Sequence, residues 1–237
     1  MPVALIVLIL SLEAAPLLAQ RGGKSTARDL FHAEAGLIVS PSESRRSRFG
    51  AAKKSVIAVT LGLRYRISKI SGAQVSESDP SGPFQAGDQI RLDVEINDTG
   101  YLYIVHRQPD GKWRRMFPNP EIEQGNHFVR SGVTYPVPPE EGVPLQFAGG
   151  AERFFVVLSR EPLKELEVLV GPRQPENTVS AAPPPEIAEA VVEKVRGMVN
   201  KRDLAVDRAA EEKAIYAVNR SGRQDSIVVV EIRLQTP

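Results

Sequence analysis

The chain has 237 residues, no cysteine, 30 basic and 29 acidic side chains, and an apolar fraction of 42%. This is the composition of an ordinary globular protein, and it excludes collagen-like, low-complexity and polytopic membrane classes. The absence of cysteine excludes disulfide scaffolds, thiolate zinc sites, cysteine nucleophiles and lipid attachment through an N-terminal cysteine.

Residues 1–19 have the pattern of a secretory signal peptide. An almost unbroken apolar run covers residues 3–12, which is too short for a membrane span of about 20 residues but suits the apolar part of a signal. Small residues follow, and cleavage after Ala19 fits them loosely. No basic residue precedes the run, which departs from the usual signal. A buried N-terminal strand or a short anchor is the alternative.

Residues 20–55 are predicted to form a flexible basic linker. Between Arg21 and Lys69, eleven basic side chains stand against three acidic ones, whereas residues 71–171 carry nine against fifteen. A nucleic-acid-binding domain gathers its positive charge on the folded part, so this distribution argues against a nucleic acid partner. The basic segment could still contact phosphate, anionic lipid or an acidic protein, but a solvated arm is the simpler interpretation.

Residues 56–171 are predicted to form a β-rich domain. Apolar and charged residues alternate over 90–96, which indicates a strand with one buried face. Strands at 101–107 and 113–117 flank Asp110-Gly111, a strong hairpin signal. Further strands are expected at residues 63–70, 144–147 and 153–159. Turn signals about every 10 residues favour an antiparallel β-sandwich or a partly open barrel.

Residues 172–185 form a second predicted linker, because five prolines lie between 171 and 185. Residues 186–237 are expected to add one amphipathic helix and a closing β-hairpin, packed on the same domain. The predicted helix covers 186–200, and the hairpin strands cover 214–219 and 226–234. The predicted fold class is therefore mainly β (α+β). The apolar stripe of the helix consists of Ile187, Val191, Val195 and Met198.

Five short motifs lie between residues 84 and 162. They are Ala86-Gly87-Asp88, Gly100-Tyr101-Leu102-Tyr103, Asp110-Gly111, Phe117-Pro118-Asn119 and Ser159-Arg160-Glu161-Pro162. In these motifs the chain resembles a bacterial family known as domain of unknown function 4384. The resemblance implies a β-rich module of exported or envelope proteins, also found beside kinase-like or caspase-like domains, with no established activity. It therefore implies a fold and a setting but no mechanism.

The candidate ligand-binding residues lie on the predicted hairpin. Tyr101 and Tyr103 share one face of their strand, and Trp113 or Arg114 lies across the turn. Such an aromatic face could bind a sugar or a peptide, although aromatic strand faces more often pack against a second layer.

No catalytic or metal-binding constellation is evident in the sequence. His32, His106 and His127 are widely spaced, and none belongs to an HExxH-type arrangement. A metal site from His106, His127 and Glu123 is conceivable, but a carboxylate near a histidine is common by chance. We therefore predict no catalytic residues, no metal and no cofactor.

The sequence favours a non-catalytic exported envelope module that binds a protein partner or supports an envelope assembly, through a sheet face or an exposed edge strand. One alternative is a carbohydrate or cell-wall binding module that uses the aromatic face. The other is a hydrolase that uses His106 or His127 with nearby carboxylates. The expected location is the periplasm, the outer membrane or the medium of a bacterial cell, with no transmembrane span after signal removal.

Overall fold

The computed structural model describes residues 25–33, 60–150, 152–170, 185–234 and 236. The predicted signal peptide lies outside the described residues, as do most of the basic linker and nearly all of the Pro-rich linker.

The described residues form two α-helices, thirteen β-strands and two single-turn 3-10 helices. The helices are α1 (Ala27–His32) and α2 (Glu189–Met198), and the 3-10 helices are Glu123–Gly125 and Glu167–Leu169. The strands are β1 (Leu61–Ser71), β2 (Gln74–Ser78), β3 (Gln89–Ile96), β4 (Gly100–Arg107), β5 (Trp113–Phe117), β6 (Phe128–Val129), β7 (Thr134–Val137), β8 (Leu145–Gln146), β9 (Arg153–Ser159), β10 (Glu186–Ile187), β11 (Leu204–Ala209), β12 (Ala214–Asn219) and β13 (Ile227–Arg233).

These strands form two antiparallel sheets that face each other. Sheet 1 has the order β11-β12-β1-β3-β7, with β2 paired to β1 and β8 paired to β3. Sheet 2 has the order β10-β5-β4-β9-β13, with β6 paired to β4. The described strands close no barrel. The predicted mainly β fold with an antiparallel, sandwich-like arrangement is confirmed.

The space between the sheets is an apolar core that follows from strand alternation. Alternate residues of β1, such as Leu63 and Ile67, are buried and meet alternate residues of sheet 2, such as Ile104 and Val156. Each fully buried side chain of this size stabilises the fold by about 1.5–3 kcal/mol. Because the chain has no cysteine, no disulfide adds to this core.

Sheet 2 is buried on its outer face as well. Val192 and Val195 of α2 pack there with Leu169 of the second 3-10 helix, against Phe155 and Val157 of β9. Burial on both faces explains why β4 and β9 are almost continuously apolar rather than alternating.

Sheet 1 is covered on its outer face by α1 near β11 and β12. Leu30 and Phe31 of α1 pack against Tyr216 and Val218 of β12. A capping box between Thr26 and the N3 residue of the helix satisfies its first N–H groups. Residues 27–32 were expected to belong to the basic linker, so this packed helix is a departure from the predicted organisation.

The C-terminal strands do not pair with each other as a hairpin. β12 pairs with β1 in sheet 1, whereas β13 pairs with β9 in sheet 2. Both strands have apolar inner faces, and separating them places both faces in the core between the sheets.

The C-terminal helix is shorter than the predicted span. It begins at Glu189, and Ile187 instead lies in β10, which pairs with β5. Val192 and Val195 form its buried face, while Met198 is 40% exposed.

We expect Gly100→Ala to destabilise the fold. A Cβ at Gly100 would lie 2.6 Å from the carbonyl oxygen of Ser159, where β4 meets β9, and overpacking of this kind costs about 1–3 kcal/mol. The matched control is Gly197→Ala in α2, where an added Cβ meets no atom within 4 Å. Helix propensity predicts a gain of about 0.5–1 kcal/mol for the control. Urea denaturation measures both; a Gly100→Ala variant as stable as the wild type would contradict the described packing.

Candidate functional site

The predicted aromatic face is largely interior. Tyr103 and Trp113 are 0% and 1% exposed, because α2 and the second 3-10 helix cover them. The covering elements also satisfy their polar atoms: the Tyr103 hydroxyl donates to Oε1 of Glu167 at 2.6 Å, and Nε1 of Trp113 donates to Oε2 of Glu189 at 2.8 Å. Burial, together with the hydrogen bond to Glu167, holds the pKa of Tyr103 well above its ordinary value. These two rings act as packing groups.

Of the other two predicted ligand-binding residues, Tyr101 packs at the margin of the same cluster, whereas Arg114 points to the other face of sheet 2. Arg114 directly follows Trp113 in β5. Because successive side chains of a strand alternate, the two side chains point to opposite faces of the sheet. The Arg114 guanidinium lies 2.6 Å from the carboxylate of Asp110. Tyr101 keeps part of its surface in solvent, beside the 39% exposed ring of Phe128. The structure therefore does not bring the four residues onto one open surface.

The three histidines lie in different environments. Nε2 of His32 lies 3.2 Å from the Tyr216 hydroxyl beside α1, and His127 packs near Tyr101, with its Nε2 3.4 Å from Oε1 of Glu167. Within the described ranges, no group of three or more histidine and acidic side chains could hold a metal ion.

His106 forms a fully buried pair with Glu152. Their Nε2 and Oε2 atoms are 2.8 Å apart, a close polar contact whose angle is not that of a hydrogen bond. The other oxygen of Glu152 accepts from the Ala148 N–H at 2.7 Å, and the imidazole stacks on Phe154. The pair links sheet 2 to the loop that follows β8 of sheet 1. Both side chains are at most 2% exposed, so we assign the pair a structural role.

The outer face of sheet 1 contains an open cleft, here called the sheet-1 cleft. Its floor is formed by β1 and β3, one wall by the β1–β2 turn, and the other by residues 140–144. Its volume is about 560 Å³, within the range of small-ligand sites. The lining residues are Ser68, Ile70, Gly72, Val75, Arg91, Asp93, Glu140, Gly142 and Pro144.

The polar groups of the sheet-1 cleft are unusually enclosed for an outer sheet face. Arg91 is 9% exposed, and its guanidinium donates to the main-chain oxygen of Glu140 at 3.1 Å. The Asp93 carboxylate accepts from the Ser68 hydroxyl at 2.9 Å. Burial raises the pKa of Asp93, an effect that the Ser68 hydrogen bond and nearby guanidinium groups only partly offset.

A second open feature is the free edge of β13. The N–H of Leu234, just after β13, donates to the main-chain oxygen of Glu152. In this register the even-numbered residues of β13 exchange main-chain hydrogen bonds with β9. The N–H and C=O groups of the odd-numbered residues therefore point away from β9, toward the open edge. At one end of this edge, the Asn219 amide donates to the Ile227 oxygen. Among the described residues no strand pairs with the remaining edge groups, which are the N–H and C=O groups of Val229, Glu231 and Arg233.

The fold and its open features define a two-sheet β-sandwich module. Residues 83–162 match the model of a family described as a domain of unknown function (DUF4384), in agreement with the resemblance seen in the sequence. The match covers the chain from just before β3 to just after β9. Neither the curated proteins nor the solved structures contain a significant match to this chain.

The motifs that carry this resemblance have structural roles. Gly87 donates its N–H to the Phe147 oxygen, and the N–H of Phe147 donates back to Asp88, which fixes the entry to β3. The absence of a side chain at Gly100 lets β4 approach Ser159 closely. These contacts give the first two motifs structural roles.

No helix within the described segments is both long and apolar enough to cross a lipid bilayer.

The sequence indicated neither open feature. The alternation of apolar and charged residues over 90–96 predicts that Arg91 and Asp93 face solvent. It does not show that residues 140–144 fold over them. The apolar run of β13 indicated a strand, but strand pairing depends on long-range packing.

We expect Asp93→Asn to stabilise the protein at about pH 7. The pKa of Asp93 is raised in the fold, so its ionisation opposes folding above the folded pKa, and the penalty disappears as pH falls toward the unfolded value of about 4. Asparagine keeps an acceptor for the Ser68 hydroxyl. Urea denaturation should therefore show a gain at about pH 7 that vanishes near pH 3.5.

The control for this prediction is Asp225→Asn. The Arg223 guanidinium lowers the pKa of Asp225, so this change should remove a small stabilisation near neutral pH instead of adding one. An Asp93→Asn variant that is less stable than the wild type at about pH 7 would contradict the assignment.

Proposed function

We propose that this chain is a non-catalytic, exported module of the bacterial cell envelope that binds a protein partner by strand addition to β13. The observation that carries the proposal is the free edge of β13. Export is supported by the signal-like apolar run at residues 3–12, and the envelope setting is what the resemblance carried by the motifs between residues 84 and 162 implies.

The edge of β13 has the properties of a strand acceptor. Native proteins usually protect an edge with proline, charged side chains, a bulge or a very short strand. β13 has seven residues, an unbroken register with β9 and no proline, and its charged residues are confined to Glu231 and Arg233. An incoming strand would find outward N–H and C=O groups on Val229, Glu231 and Arg233, enough for main-chain recognition of an extended segment.

The side chains beside this edge favour a partner strand of mixed character. Val229 offers a partly buried apolar surface, while Glu231 is already paired with Arg153 and Arg196. The Arg233 side chain is 62% exposed, and its Nε lies 3.5 Å from a carboxylate oxygen of Glu231. A partner strand with an apolar residue opposite Val229 and a carboxylate opposite Arg233 therefore fits best.

The carbohydrate and hydrolase alternatives receive less support. Of the predicted aromatic residues, Tyr101 keeps part of its surface in solvent, whereas Tyr103 and Trp113 are buried. His106 is 1% exposed and therefore out of reach of a substrate.

The test is site-specific photocrosslinking in intact envelopes. A photoreactive residue replaces Arg233 on β13 in one variant and the 54% exposed Val206 on β11 in another. We expect a discrete adduct from position 233 and none of the same mass from position 206. Equal adducts from both positions, or no adduct from position 233, would overturn the proposal.

Proline substitutions then test whether main-chain pairing holds the partner. Val229→Pro removes an outward N–H without breaking a bond to β9, and Val206→Pro does the same at the β11 edge. We expect Val229→Pro to reduce the adduct at position 233 about fivefold, the effect of one hydrogen bond worth about 1 kcal/mol. Val206→Pro should leave it unchanged. Thermal unfolding serves as the control that both variants fold. An undiminished adduct in a folded Val229→Pro variant would contradict strand addition.

A further inference from the structure

The two ends of β13 are each held by a contact with another part of the chain. At its start, the side-chain amide of Asn219 donates to the main-chain oxygen of Ile227 at 2.9 Å. Just after its end, the N–H of Leu234 donates to the main-chain oxygen of Glu152 at 3.0 Å. Because β13 pairs only with β9 among the described strands, its terminal hydrogen bonds are the ones most prone to open. The geometry of the free edge therefore depends on how firmly Asn219 and Glu152 are held.

The loop before Glu152 has little stiffness of its own. Gly149 and Gly150 lie in it with φ values of 91° and 86°, and glycine is the least restricted residue type. The position of Glu152 is instead set through its side chain, which is 1% exposed. One carboxyl oxygen accepts from the Ala148 N–H at 2.7 Å, and the other lies 2.8 Å from Nε2 of His106.

The contact with His106 anchors Glu152 to the middle of sheet 2. β4 is the central strand in the order β10-β5-β4-β9-β13, and the His106 ring also stacks on Phe154 of β9. A buried pair of ionisable side chains adds little stability compared with apolar side chains of similar size. What this pair does is geometric, since it fixes the Glu152 side chain and with it the main-chain oxygen that Leu234 uses.

We propose that His106 and Glu152 are positioning residues for the free edge of β13. Their contact holds the last main-chain hydrogen bond of the strand, and this keeps the outward N–H and C=O groups of Glu231 and Arg233 aligned for a partner strand. An edge that is ordered before the partner arrives loses less conformational entropy on binding. This inference rests on the proposed strand addition, and it assigns a role to two residues that lie in the interior.

The first test is amide hydrogen exchange in the full chain without any partner. In Glu152→Gln, an amide replaces the carboxyl group that faces His106. We expect exchange at the Leu234 amide to become about tenfold faster or more, while exchange at Val228, near the other end of β13, changes by less than about twofold. Equal acceleration at both amides would mean that the pair supports only the fold as a whole. That result, or no acceleration at Leu234, would overturn the proposal.

Two further variants are controls for this exchange experiment. Glu165→Gln removes a carboxylate that is paired with Lys194, and it should change neither amide. Asn219→Ala releases the other end of β13, so it should accelerate exchange at Val228 and leave Leu234 unchanged. A Glu165→Gln variant with the same selective acceleration at Leu234 would contradict the assignment.

A double variant keeps the test open if Glu152→Gln fails to fold. His106→Leu combined with Glu152→Gln leaves no ionisable group at this position, and thermal unfolding shows whether each variant folds. The double variant should show the same difference between the Leu234 and Val228 amides. Wild-type exchange at Leu234 in the double variant would overturn the proposal.

The second test relates the interior pair to the partner. Glu152→Gln is combined with a photoreactive residue at position 233 or at position 229, and adducts are measured in intact envelopes. We expect the yield at position 233 to fall about threefold or more and the yield at position 229 to change by less than about twofold. A uniform loss of stability would lower both. An unchanged yield at position 233, with exchange at Leu234 accelerated, would overturn this inference, whereas no adduct from position 233 without Glu152→Gln would overturn strand addition itself.

Discussion

Burial of sheet 2 on both faces is the constraint on which the remaining structure depends. β4 and β9 carry apolar residues at nearly every position, so neither face can be left in water. Sheet 1 covers the inner face, and α2 with the second 3-10 helix covers the outer one. With no cysteine in the chain, burial of apolar surface is the main force that holds these layers together.

This constraint determines where recognition can occur. The outer face of sheet 2 is used for packing, so Tyr103 and Trp113 serve the core of the module. The part of sheet 2 that stays open for strand addition is the edge of β13. Sheet 1 has the opposite character, because its outer face is polar outside the area that α1 covers. The cleft at Arg91 and Asp93 forms there, where residues 140–144 partly enclose a charged strand surface.

Local patterns predicted the parts of the fold that local physics determines. The alternation over residues 90–96 and the turn at Asp110-Gly111 place β3, β4 and β5 correctly, since both signals act between near neighbours in sequence. Which sheet a strand joins is a long-range choice. For this reason the apolar runs of β12 and β13 suggested a hairpin, although they lie in different sheets.

The candidate sites were less predictable than the fold. The burial of Arg91 depends on a loop about fifty residues further along the chain. The alternation of apolar and charged residues in β3, taken alone, predicts that Arg91 is exposed. The Thr26 capping box followed by Leu30 and Phe31 was a readable signal for α1, but the surrounding basic residues favoured a linker. Tyr103 and Trp113 pack in one cluster beneath α2, and this cover comes from a distant part of the chain that local patterns do not place.

The most direct measurement of the central claim is acrylamide quenching of tryptophan fluorescence. The chain has one tryptophan, and Trp113 lies 1% exposed beneath α2. If the outer face of sheet 2 is sealed, the native protein should show blue-shifted emission and weak quenching, both lost in urea. Native emission that is as red-shifted and as readily quenched as in urea would contradict the account.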